Sequence, residues 1–225
     1  MMASLSQIRL IIFDPGVEPF IVTGGIYAFT ALYYTRLPAL QVLSIILLIA
    51  VTVYWSRTIR REPRMTWRDL KLTRRHFGRN FLLAMGLAIF GWFYYRVYVY
   101  LTRGVVIKLG YGGSLSAIVT IILVALAEEV FFRGYLQNRL NPRFGLLARV
   151  LLAVAAMAFY KNIVHMWEGL PLVLQAELFL VGILHNVLPS LWMEWSDSLV
   201  GPLFLHIFWD LLVYAPLTSI PYWVI

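Results

Sequence analysis

LSAIVTIILVALAEEVFFRGYLQN, residues 115–138, is the stretch on which the reading of this chain turns. It begins with an uncharged, mostly apolar run, Leu115 to Ala127, meets Glu128 and Glu129, continues through Phe131 and Phe132, and reaches Arg133 before ending on Gln137 and Asn138. A membrane span needs roughly 20 mostly apolar residues. This one is long enough, and it carries three charges inside. Outward from it the same texture recurs over 17–35, 37–55, 80–101, 145–167, 170–191 and 198–216. About seven transmembrane helices (six to eight) fit the length of 225 residues.

The composition agrees. Hydrophobic residues make up 61% of the chain, charged residues 13%, and mean hydropathy is +0.77. A soluble domain is about half apolar and a quarter charged, so a water-soluble globule, a disordered chain and a fibrous repeat are excluded. The chain has no cysteine, which removes disulfides, zinc–thiolate sites, iron–sulfur clusters and cysteine nucleophiles. The expectation is an all-α, polytopic membrane helix bundle, with residues 1–225 forming a single integral membrane domain.

The net charge of +8 sits between the apolar runs, where it anchors topology rather than binding nucleic acid. The loop 57–79 holds Arg57, Arg60, Arg61, Arg64, Arg68, Lys71, Arg74, Arg75 and Arg79 against Glu62 and Asp69 alone. By the positive-inside rule it is cytoplasmic. Counting spans puts Arg139, Arg143 and Arg149 on the same side, and the N-terminus there too. The protein is read as multi-pass in a bacterial or archaeal cell membrane, and its basic loop also suits anionic lipid.

Charges within spans are costly, about 2.5–3.5 kcal/mol or more each at the bilayer centre, so each needs a partner or a task. Glu129 and Arg133 are four apart with the acid first, the favourable order for a helical ion pair. Glu128 lies about 100° round an α-helix from its neighbour and is left for general-base chemistry. The competing reading has both glutamates neutralising buried bases. His206 and Asp210 are also four apart, so the carboxylate would orient the imidazole, or the two would glue helices together. Lys161 and His165 form a third such pair, with Glu177 as a candidate partner for the lysine.

The motif Glu128-Glu129-x-x-x-Arg133-Gly134, followed by Arg143-Phe144-Gly145, resembles the first motif of the CAAX protease and bacteriocin-processing (Abi) family of glutamic-type intramembrane endopeptidases. Phe179 and Gly182 are similar to its Phe-x-x-Gly helix. Ser198, Leu199, Pro202, His206 and Asp210 are similar to its closing pattern, where the last position is often asparagine. The resemblance covers residues 115–212. Its middle motif, Phe-x-x-x-His, matches imperfectly. An ungapped register puts the histidine position on Lys161 and the phenylalanine on Met157, with His165 one turn beyond. Either His165 fills the role after a local shift or Lys161 replaces it. His165 is preferred, because a histidine can orient water as donor or acceptor.

The resemblance implies hydrolysis of a peptide bond in a membrane-anchored or lipidated protein or peptide. Glu128 would activate a water held with His165. His206, steered by Asp210, would stabilise the oxyanion, and Glu129, Arg133 and Lys161 would support them. No cofactor is required. A zinc-dependent version would use Glu128, His165 and His206 as ligands. A non-catalytic immunity or binding protein on the same scaffold, and a transporter with an ion relay, are the alternatives from other classes.

Overall fold

A computed structural model describes residues 17–35, 37–61, 70–74, 76–104, 115–140, 144–167 and 169–214. Among these the regular structure is entirely helical. The helices are α1 (Glu18–Tyr34), α2 (Pro38–Arg61), α3 (Phe77–Arg103), α4 (Leu115–Glu128), α5 (Leu146–Trp167), α6 (Leu172–Ser196) and α7 (Val200–Tyr214). They fall on the seven expected spans. Helix α4 runs on as a π-helix (Glu129–Gln137) and a last α-turn (Asn138–Leu140). Among the described residues, four helices are long and apolar enough to cross a membrane: α2, α3, α5 and α6.

The ends obey local chemistry. Proline opens α1 and α2, where a missing N–H costs nothing. Helix α3 closes on Gly104 at φ +65°, whose N–H reaches the Tyr100 carbonyl at 2.9 Å. At the start of α7 the Ser198 hydroxyl accepts from the Val200 N–H at 3.3 Å.

The chain forms two compact units. In the first, residues 1–69 and 135–187, α1 packs on α2 and α5. Its polar groups are satisfied at short range: Thr30 and Ser44 bond carbonyls of their own helices, and the Tyr27 hydroxyl donates to the Ala156 carbonyl at 2.6 Å. The buried Glu18 accepts from the Tyr135 hydroxyl at 2.6 Å and from Arg139 Nε and Nη2 at 3.0 and 2.8 Å. Arg139 is therefore an ion-paired residue, not simply a topology charge.

The second unit is residues 70–134 and 188–225. Here α7 packs along both α3 and α4. Phe77 and Phe81 of α3 meet Phe204 and Phe208 of α7 edge-on or tilted, with ring centroids 4.9–5.7 Å apart. Two glycines allow close approach. A Cβ on Gly201 would stand 2.6 Å from the Trp192 ring, and one on Gly134 would stand 3.2 Å from the Leu70 carbonyl oxygen.

Candidate active site

The second unit gathers five of the expected side chains: His206 and, around its imidazole, Glu128, Glu129, Arg133 and Asp210. Glu129, the first residue of the π-helix, pairs through Oε1 with Arg133 Nη1 one turn on. The same oxygen lies 2.8 Å from His206 Nδ1. A carboxylate only accepts, so the shared hydrogen belongs to the ring. On the other side of the ring, His206 Nε2 stands 3.3 Å from Asp210 Oδ2 and 3.6 Å from Glu128 Oε2. The histidine side chain is 11% exposed, and Glu128, Glu129, Arg133 and Asp210 are all buried.

The expected Glu129–Arg133 pair is present. Two features differ from the α-helical reading. First, Glu128 and Glu129 do not diverge to separate surroundings; both face His206. Glu128 closes the α-helical part and Glu129 opens the π-helix, and the two face different nitrogens of the same ring. Second, Asp210 is not the nearest carboxylate to the imidazole; Glu129 is closer.

Ser190 carries no signal in the sequence beyond being a hydroxyl in an apolar run. It is buried, and its Oγ accepts from Arg133 Nε at 3.2 Å. It thus holds the arginine on the side away from Glu129's bond to Nη1. It follows Pro189, the proline inside α6. The Gly134 of the motif has a visible purpose too, since a Cβ there would press on the Leu70 carbonyl oxygen at 3.2 Å and push it back by a few tenths of an ångström.

The remaining expectations fall in the first unit. Lys161 lies partly buried on α5, while Glu177, on α6, is exposed. His165 also lies on α5, and its side chain is outside the described residues. So is Arg143 of the Arg-Phe-Gly sequence. Among the described residues, no three His, Asp or Glu side chains are grouped to hold a metal ion.

Residues 112–212 match the family model of the type II CAAX prenyl endopeptidases, Rce1-like. Over this segment, just under half of the chain, the sequence is similar to that family. That is consistent with the family resemblance carried by Glu128-Glu129-x-x-x-Arg133-Gly134. The Rce1-like proteins are intramembrane endopeptidases, hydrolases acting on peptide bonds. With four long apolar helices, the Rce1-like match marks an integral membrane protein with the activity of a peptidase. Neither a curated protein nor a solved structure matches the chain.

Proposed function

We propose that the protein cleaves a peptide bond in a lipidated, membrane-anchored substrate, with Glu128 as the base that activates water. The observation that carries this reading is one imidazole flanked by the two adjacent glutamates of the motif, at 2.8 Å from Glu129 and 3.6 Å from Glu128. The two acids have different chemical situations. Glu129 is engaged twice, by Arg133 and by the His206 ring, which suits it to hold the histidine. Glu128 faces the other ring nitrogen, with Oε2 3.6 Å from Nε2, beyond hydrogen-bond length.

In this scheme Glu128 takes a proton from water as the oxygen attacks the scissile carbonyl, and later passes a proton to the leaving amine. His206, fixed through Nδ1, presents Nε2 toward the same space and stabilises the oxyanion when it carries a proton there. Asp210 helps hold the ring. Arg133, itself held by Ser190, holds Glu129. The family resemblance, rather than the geometry around His206, supports His165 as the residue that orients the water, with Lys161 as the alternative. No metal is needed for these steps. The substrate class follows from the name of the matched family: a prenyl cysteine near a C-terminal CAAX sequence. The basic loops support a cytoplasmic N-terminus.

The test is cleavage of an internally quenched, farnesylated CAAX peptide by purified protein in lipid nanodiscs. Wild type is expected to cleave and Glu128→Gln to lose cleavage. 1,10-Phenanthroline is expected to leave the rate unchanged. Loss with the chelator and recovery on adding zinc would move the reading to the metal-dependent version. Biological activity that survives Glu128→Gln would move it to a non-catalytic scaffold.

A further inference from the structure

In the sequence, Lys71 is one of nine basic residues in a loop, and such residues normally form a solvated, topology-setting charge. The structure sets it apart from its neighbours. Arg74 and Arg79 are exposed, whereas the Lys71 side chain is 15% exposed and its partner Glu194 is 8% exposed. Lys71 Nζ stands 3.2 Å from Glu194 Oε2, at the end of α6, and 3.7 Å from Asp197 Oδ1 in the α6–α7 turn. A carboxylate this enclosed depends on its counter-charge in a way that a surface pair does not.

The backbone is committed to the same contact. Lys71 and Asp197 both adopt left-handed φ, +55° and +50°, a conformation that residues with a side chain rarely take. The turn at Lys71 presents its carbonyl to the Leu199 N–H at 2.8 Å. Beside it, the Thr73 hydroxyl donates to the Asp197 carbonyl at 3.3 Å, and the Ser198 hydroxyl donates to the Thr73 carbonyl at 3.2 Å. Residues 71–73 are thereby stitched to the turn that starts α7.

Behind the stitch lies the motif helix. The position a Cβ would take on Gly134 is 3.2 Å from the Leu70 carbonyl oxygen and 3.4 Å from Leu199 Cδ2. Leu199 is fully buried. Leu70 and Leu199 therefore both rest on the glycine that follows Arg133. Along α7, His206 is two turns from Leu199, about 10 Å at 1.5 Å per residue. A helix transmits a displacement of its first turn over so short a length, so the seating of Leu199 on Gly134 sets where the imidazole meets Glu129.

We propose that Lys71 is a positioning residue: its clasp on Glu194 and Asp197 seats the start of α7 against the motif helix and so holds His206 on Glu129. This places a determinant of the site upstream of the segment 112–212 that the family model covers. The consequence for turnover rests on the peptidase reading above; the consequence for His206 geometry does not.

The experiment compares wild type, Lys71→Met and the charge swap Lys71→Glu with Glu194→Lys, all in nanodiscs. With the farnesylated peptide, Lys71→Met is expected to lower kcat on the order of tenfold or more with KM within about twofold, the signature of a site displaced by a fraction of an ångström. The swap is expected to recover most of the loss. In parallel, 15N-histidine labelling reports the ring nitrogens of the four histidines, with His206 assigned by His206→Gln. Its Nδ1 resonance should shift in Lys71→Met and return in the swap. An Nδ1 resonance unmoved in Lys71→Met overturns the clasp, whatever the cleavage result. So does an unchanged kcat in Lys71→Met, or a swap that recovers neither readout. If wild type cleaves nothing, the peptidase reading fails and the resonance alone decides the clasp.

Discussion

Adjacent glutamates with different contacts should respond differently to the same isosteric change. Glu129 accepts from Arg133 and lies 2.8 Å from His206, with its side chain 1% exposed. Glu129→Gln preserves shape but removes the ion pair of Glu129 with Arg133, which is 2% exposed. Breaking a buried pair in this way costs on the order of 3–5 kcal/mol. In a chain of this size that lowers the apparent Tm by roughly 10 °C. Glu128→Gln is different. The amide keeps the side chain's size and an acceptor oxygen facing His206 Nε2, 3.6 Å away, so the stability cost should be smaller than that of Glu129→Gln. Its effect on cleavage should be large, about 10²–10⁴-fold for the loss of a general base, or about 3–5 kcal/mol in the barrier at 1.36 kcal/mol per tenfold. The assay pairs thermal unfolding in nanodiscs, followed by tryptophan fluorescence, with turnover of the quenched peptide. Glu128→Gln should be stable and inactive, and Glu129→Gln destabilised as well as impaired. The reasoning fails if the two variants lose equal stability, or if Glu128→Gln turns over normally.

Three further outcomes follow from individual contacts. Gly201→Ala should destabilise by about 1–3 kcal/mol through overpacking against Trp192, 2.6 Å from the added Cβ, while Gly86→Ala, with nothing within 4 Å, should be neutral or slightly stabilising; thermal unfolding of both variants decides. Ser190→Ala removes a hydrogen bond to a charged group, a loss of about 1.5–3 kcal/mol, and should lower Tm with a smaller fall in kcat than Glu128→Gln; equal stability would mean that Arg133 is held adequately by Glu129. Asp210→Asn keeps an acceptor oxygen 3.3 Å from His206 Nε2 and should retain cleavage within about tenfold, whereas Asp210→Ala should lose about 10²-fold, within the range for a group that positions the site; peptide turnover separates them.

What the sequence determined by itself is the kind of molecule. Apolar runs of span length can satisfy their backbone in lipid only as helices, so all seven helices were legible from composition and spacing. The Glu129–Arg133 pair was legible too, because residues four apart meet on one helical face whatever surrounds them. The spacing of His206 and Asp210 worked for the same reason. Tertiary structure alone decided the rest. The packing of α7 on α4 brought one imidazole to both Glu128 and Glu129, and nothing local in EEVFFRGYLQ distinguishes the i→i+5 bonding of Glu129–Gln137 from i→i+4 bonding. Ser190 found Arg133 across 57 residues of chain, and Lys71 found Glu194 across 123. Contacts at such separations have no periodicity to betray them. They depend on which helices pack and in what register, and that is fixed by shape, by Gly134 and Gly201 admitting their neighbours, rather than by any pattern along the chain.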